Sequence, residues 1–271
     1  FAVILAEETD NEEKGGGTGK GIFVKALTYI VKTIRVDGKN FKVDKNFAFQ
    51  RVDLDTRIVS IEDTRRKVDF EGFYSIITEG ITVEKKNKDE LRIPYKDSPK
   101  VIFTTNYTIP NNGNHAKRRQ KVFEFSNYFS VKHTPLDEFG HKLFDDWDKD
   151  EWNRFFNLLF HCVSDYLENG VTELPLSDKI IRKQIRVQFG EEFLEYYLGL
   201  KEEFGQWITH ERLYNDFLAF CNFDKKEYSS KRFTKAVEDT TKLLGYSFEV
   251  TRGRDQGHKK CYKFIDSNDI F

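Results

Sequence analysis

The feature that most limits what this chain can fold into is a glycine-rich run, Gly15, Gly16, Gly17, Thr18, Gly19, Lys20 and Gly21. It lies between a wholly apolar stretch at residues 1–6 (FAVILA) and an amphipathic one at residues 22–32 (IFVKALTYIVK). A short apolar run with β-branched residues reads as a buried strand. Ile22, Leu27, Ile30 and Val31 fall near one face at helical spacing, so the glycines open a helix. Strand, glycine loop and helix in that order make a phosphate-binding loop. Successive backbone N–H groups turn inward around an anion, the helix N-terminus adds partial positive charge, and Lys20 reaches the terminal phosphates. A flexible linker would need neither the buried strand before it nor the apolar helix after it. Gly16, Gly17, Thr18, Gly19, Lys20 and Gly21 are therefore the expected nucleotide-binding residues. Two positions depart from the general pattern: Lys14 stands where the first glycine is expected, and Gly21 replaces the Ser or Thr whose hydroxyl holds magnesium.

Further strands are expected at residues 57–61 (RIVSI), 100–104 (KVIFT) and 121–125 (KVFEF). The first ends in Glu62 and Asp63, the second near Asn106, and the third follows the basic cluster Lys117, Arg118, Arg119. Residues 81–95 (ITVEKKNKDELRIPY) alternate apolar and polar on both sides of a charged tip, the pattern of a hairpin. Strands alternating with helical segments predict an α/β fold with a mainly parallel sheet. Glu62 and Asp63 suit a pair that holds magnesium and polarises an attacking water. Their distance in sequence from Lys20 suits adjacent strands of one sheet. Acids also end strands simply to face solvent, so the pair takes its meaning from the glycine loop.

The C-terminal part has a different texture. Residues 150–169 form a helical pattern that stops at Gly170, and a second amphipathic stretch covers residues 180–198. Within residues 207–265, Thr209 is the expected N-cap of a helix running through Phe220. A second helix from about Ser230 closes at Gly245, and β-like runs follow at residues 246–251 and 260–265. Helix, helix, strand, turn, strand is the plan of a winged helix. Lys231, Arg232 and Lys235 then lie on the second helix, and Arg252, Arg254, His258, Lys259 and Lys260 decorate the wing, where they could neutralise phosphates without reading sequence. The alternative is a helical cap whose charges face water. His258 has no partner at metal-ligand spacing and reads as a surface residue.

Composition sets the outer bounds. A chain of 271 residues suits two domains, and the expected division is a P-loop ATPase at 1–145, a helical linker at 146–206 and a winged-helix-like domain at 207–271. The 26 Phe and 12 Tyr supply an aromatic core beneath a surface on which 33% of all residues are charged. A net charge of −1 excludes a globally basic nucleic-acid binder, so any DNA contact must come from local patches. The three cysteines show no C-x-x-C spacing, which suggests neither zinc nor a disulfide framework. No apolar run reaches the roughly 18 residues of a membrane span, so the expected address is cytoplasmic. The chain opens at Phe1 inside an apparent strand and contains no Met, so we expect a fragment with material upstream.

The order of glycine loop, acid pair, lysine-tipped hairpin and strand-ending Thr104-Thr105-Asn106 resembles the superfamily 3 helicases of viruses, above all the phage and prophage primase-helicases with a poxvirus-type arrangement. The resemblance covers roughly residues 1 to 130. It implies an AAA+ type ATPase that forms a hexameric ring on single-stranded DNA, with ATP and Mg2+ as cofactors and a primase or oligomerisation region upstream. By that resemblance Lys20 binds phosphate, Glu62 and Asp63 serve magnesium and water activation, and Asn106 positions water at the γ-phosphate. Lys85, Lys86, Asn87 and Lys88 would tip the hairpin in the ring channel, and Arg118, or else Arg119, would reach a neighbour's ATP. The hairpin lysines also fit a solvated tip, Asn106 a turn before Pro110, and the two arginines pairing with local acids such as Glu124.

Overall fold

The computed structural model describes residues 1–7, 16–65, 68–107, 118–172, 176–252 and 259–266. Lys14, Gly15, Pro110, Lys117, Arg254 and His258 lie outside the described residues. The chain divides into two units, Phe1–Ser177 and Asp178–Phe271, and the division falls within the stretch expected as a helical linker.

The first unit runs β1 (Ala2–Glu7), α1 (Lys20–Thr28), β2 (Thr33–Asp37), β3 (Ile58–Glu62), α2 (Tyr74–Thr78), β4 (Gly80–Val83), β5 (Leu91–Pro94), β6 (Lys100–Thr104), β7 (Gln120–Phe125), α3 (Pro135–Phe139) and α4 (Lys149–Asn169). Five strands form one sheet in the order β2-β3-β6-β1-β7, every neighbour pair parallel. This mixed α/β architecture with a parallel sheet between helices matches the expected class. Its interior strands are apolar on both sides because both faces are covered.

Alternation along each strand divides the core in two. Ala2 and Ile4 of β1, Val59 and Ile61 of β3, and Val101 and Phe103 of β6 point to the face that also holds Phe70, Phe73, Ile77 and the hairpin. Leu5 and Ile102 point to the opposite face, against Val24 of α1. The β4–β5 hairpin pairs antiparallel, with Ile81 opposite Ile93 and Val83 opposite Leu91. Its buried Ile81, Val83 and Ile93 fix the register, because a slip of one residue would turn them to solvent.

Three expectations need correction. The acid-bearing β3 is not next to β1, because β6 lies between them; spacing in sequence limits how far the chain can travel but not the order in which strands pair. The helix after the glycine loop stops at Thr28, so Val24 is its buried apolar residue, while Ile30 is 42% exposed beyond its end. An edge strand, β2, fills the space where no strand was expected.

Helix α4 is capped at its start by Asp148, whose side chain accepts a bond from the Glu151 N–H, and at its end by Gly170, in the left-handed region at φ 74°. None of its 21 residues is buried. Phe144, Trp147, Trp152 and Phe155 gather near its first turns.

The second unit runs α5 (Asp178–Phe189), α6 (Glu191–Gly199), β8 (Ile208–Thr209), α7 (His210–Cys221), α8 (Ser230–Leu243), β9 (Ser247–Arg252) and β10 (Lys260–Ile265). Its antiparallel sheet has the order β8-β10-β9. Thr209 and Ser229 cap α7 and α8 by accepting bonds from the Arg212 and Arg232 N–H groups. Phe193, Tyr197, Phe217, Phe233, Tyr262 and Phe264 make an aromatic core. Tyr197 donates or accepts within it at 2.7 Å from Thr241 Oγ1, and burial raises its phenol well above the usual range. Among the described residues no helix is long and apolar enough to cross a membrane.

Candidate functional site

β1, β3 and β6 all run the same way, so their carboxyl ends meet at one edge of the sheet, and the glycine loop leaves from the end of β1 there. Gly16, Gly17 and Gly19 adopt φ values of 133°, 81° and 96°. A left-handed backbone of this kind turns N–H groups into a concavity, and at Gly17 a side chain would also press on the Ser130 carbonyl carbon at 3.1 Å. Gly19 is the N-cap of α1, with no side-chain cap of its own, so the free N–H groups of the first turn and Lys20 face the same space.

The loop already binds an anion, the carboxylate of Glu7. Gly16 N–H donates to Glu7 Oε2 at 2.9 Å, and Thr18 Oγ1 donates to Oε1 at 3.2 Å. The Lys20 ammonium is ion-paired to the same oxygen. Lys20 Nζ also donates to Asn106 Oδ1 at 2.9 Å, which brings the end of β6 onto the loop. Burial pushes the Lys20 ammonium below its ordinary range, opposed by the hydrogen bond and charge of Glu7 and by the charge of Asp63. Sequence reasoning misses Glu7. It lies two residues beyond Leu5, on the face of β1 that meets α1, and that periodicity is its one available signal.

The acids of β3 are placed differently from one another. Asp63 sits in a left-handed turn at φ 53°, its N–H donating to Thr104 Oγ1 at 3.0 Å, while Thr64 N–H donates to Thr104 O at 3.0 Å. These bonds tie the ends of β3 and β6 together and present Asp63 to the loop. Glu62 lines the same cleft, of about 590 Å³, but its two carboxylate oxygens are held by Arg35 of β2 at 2.5 and 2.6 Å. Among the described residues no cluster of three or more His, Cys, Asp and Glu could hold a metal. A cleft with one or two carboxylates beside an anion-binding loop could still hold magnesium, which keeps several waters and needs few protein ligands. Gly21 is exposed, and a Cβ there would meet nothing within 4 Å.

The remaining candidates are spread out. Arg118 is exposed, whereas Arg119 is half-buried with its guanidinium 4.8 Å from the centre of the Tyr74 ring. At the hairpin tip, Lys88 N–H closes a turn on Lys85 O at 3.2 Å, with Asn87 at φ 58°. Lys86, Asn87 and Lys88 are exposed, but Lys85 is ion-paired to Asp53, whose carboxyl it holds below the ordinary range. In the second unit Lys231, Lys235 and Arg252 are exposed, and Arg232 lies 4.2 Å over the Tyr228 ring. Lys259 is paired to Glu211 and Lys260 to Glu238.

The fold and edge cleft define a parallel α/β protein with an anion-binding loop at the carboxyl ends of its strands. Residues 14–119, the stretch with the loop, acids, hairpin and Asn106, match a family of unknown function, DUF5906. No protein of curated function matches the chain. Two solved structures of the NrS-1 C-terminal region are similar at 16% and 17% identity, with TM-scores of 0.41 and 0.42, each over 97% of this chain. The chain spans 66% of their length. The Aeropyrum pernix ORC1 protein, solved in complex with DNA, aligns at 11% identity and a TM-score of 0.29, over 98% of this chain and 84% of that one.

Proposed function

We propose that this chain is the ATP-hydrolysing motor of a DNA helicase of the phage or prophage replication type. Residues 1–145 are the P-loop ATPase, 146–206 a helical linker and 207–271 a winged-helix-like DNA-binding domain. The observation that carries the reading is the loop at Gly16–Lys20 holding an anion with a backbone N–H, a hydroxyl and a buried ammonium, while Asp63 and Asn106 reach it from β3 and β6. ATP with Mg2+ is the ligand such a cradle fits: the loop and Lys20 take the terminal phosphates, Asp63 the metal's water shell, and Asn106 a water beside the γ-phosphate. Magnesium, when bound, neutralises charge developing between the phosphates. Arg118, exposed beside the stacked Arg119, is the better placed of the two to reach a neighbouring subunit of a hexameric ring. The antiparallel β9–β10 pair after α8 supports a winged helix, in which Lys231, Arg232, Lys235, Arg252 and Arg254 contact DNA phosphates. An upstream primase or oligomerisation region and a cytoplasmic setting belong to the same proposal.

A second reading has its own observation. Glu62 is held by Arg35 rather than aimed at water, which suits a P-loop switch that binds DNA without unwinding it. Strand displacement with ATP separates the two. The motor reading expects unwinding that Lys20→Ala abolishes, and ATP binding without DNA-stimulated turnover or unwinding would favour the switch.

A further inference from the structure

Three of the groups that could receive a phosphate are already committed to a carboxylate of the same chain. Glu7 is 2% exposed at the end of β1, an interior strand, and accepts from Gly16 N–H, Thr18 Oγ1 and Lys20 Nζ. These are a loop N–H, a loop hydroxyl and the loop lysine, the three donor types that would hold a terminal phosphate oxygen. Asn106, by contrast, touches Lys20 with a neutral oxygen and does not occupy the loop.

Resting on the nucleotide reading above, we propose that Glu7 sets an affinity threshold at this site: it occupies the anion cradle, so that an anion with only the cradle to hold it, such as inorganic phosphate, falls below measurable binding while a polyphosphate ligand with further contacts still binds. A ligand entering the loop must take over these donors and move a buried carboxylate away from its ammonium partner. That penalty is the same for every anion. Inorganic phosphate has only the cradle to offset it, whereas a nucleotide adds contacts for its other phosphates, its ribose and its base. Net charge-assisted hydrogen bonds are the strong ones, so surrendering even one of them weakens binding by about tenfold or more.

The test measures dissociation constants for ATP and for inorganic phosphate by calorimetry on the full chain, as wild type, Glu7→Gln, Glu7→Asp and Lys20→Ala. Glu7→Gln keeps the shape and removes the charge, and Glu7→Asp keeps the charge but withdraws it by one methylene. Both are expected to bind ATP about tenfold tighter than wild type and to gain measurable phosphate binding, with Lys20→Ala binding neither. Circular dichroism identifies a variant that has not folded, in which case the other decides. If ATP binds wild type and is lost in Lys20→Ala, but the folded Glu7 variants bind no tighter, Glu7 is no competitor. Weaker binding would make it a support for Lys20 and equally overturn the proposal. Failure of every variant, wild type included, to bind ATP would refute the nucleotide reading itself.

Discussion

Lys20→Ala removes the charge that faces a phosphate, but it also strands Glu7. The two side chains are 7% and 1% exposed, so neither charge has water to fall back on. Breaking a buried pair from one side costs about 3–5 kcal/mol. Glu7 keeps the Gly16 N–H at 2.9 Å and the Thr18 hydroxyl at 3.2 Å, which places Lys20→Ala at the low end or just below it, about 2–3 kcal/mol. For a unit of this size that is a fall of about 4–12 °C in melting temperature. Glu7→Gln alone should cost less, because Lys20 retains the Asn106 oxygen at 2.9 Å. Lys20→Ala with Glu7→Gln should recover most of the loss, giving a favourable coupling of at least about 1 kcal/mol. The assay is urea and thermal unfolding of the full chain without nucleotide, followed by tryptophan fluorescence in a Trp207→Phe background. Trp147 and Trp152, both in the first unit, then report alone. Should Lys20→Ala unfold with wild type, or the double variant be no more stable than Lys20→Ala, the Glu7–Lys20 pair is not the buried contact described.

Gly21→Ser should lower the magnesium concentration needed for half-maximal ATPase activity, since its Cβ meets nothing within 4 Å and the hydroxyl would stand at the start of α1; an unchanged or higher requirement refutes this. Lys86→Ala with Lys88→Ala should reduce the salt slope of single-stranded DNA binding by about 1.4, at about 0.7 for each phosphate no longer neutralised. Lys85→Ala, by contrast, should leave the slope unchanged, because its charge is spent on Asp53; equal effects from all three lysines would contradict that division. In the second unit, burial foremost and the Lys260 charge next, opposed by Glu238, hold His210 below its ordinary 6.5. The folded state therefore binds fewer protons than the unfolded one, so this contribution is full above pH 6.5 and declines as pH falls through the folded-state value. His210→Gln should flatten that part of the unit's stability profile, as measured by urea unfolding at stepped pH.

The parts of this fold legible in the sequence are those where a local signal coincides with a structural need. β6 is legible at its observed bounds, because KVIFT is apolar through most of its length and buried on both faces. Thr209 and Gly170 follow from the chemistry of helix ends, and the hairpin from its alternation. β2 is not legible: TIRVD is an edge strand with one buried residue, Ile34, so its pattern barely departs from a loop. Glu7 is hidden for the opposite reason. An acid ending an apolar strand suggests solvent, and only the curl of a loop many residues later makes it buried. The separation of β3 from β1 is beyond reach because strand order depends on which long-range pairing wins, and no residue in either strand encodes its neighbour. Arg35 and Glu62 show the same limit, since their pairing exists only through the register of β2 on β3.

The place of β1 in the sheet has a kinetic consequence. Of the five strands, the first to leave a ribosome is one that needs two neighbours, and both come late: Val3 lies opposite Ile102 on one side and Lys121 on the other. Until β6 has been made, the middle of the sheet cannot close, and apolar β1 must wait unpaired while β2 and β3 find each other; its second edge stays open until β7 follows. Such long loops slow the search and expose sticky edges during it. The same late event assembles the cradle, since Glu7 is aligned by β7 and Asn106 by β6. The unit should therefore acquire its ligand site in a single cooperative step near the end of folding, and a chain stalled before residue 120 should hold neither a finished sheet nor a working loop.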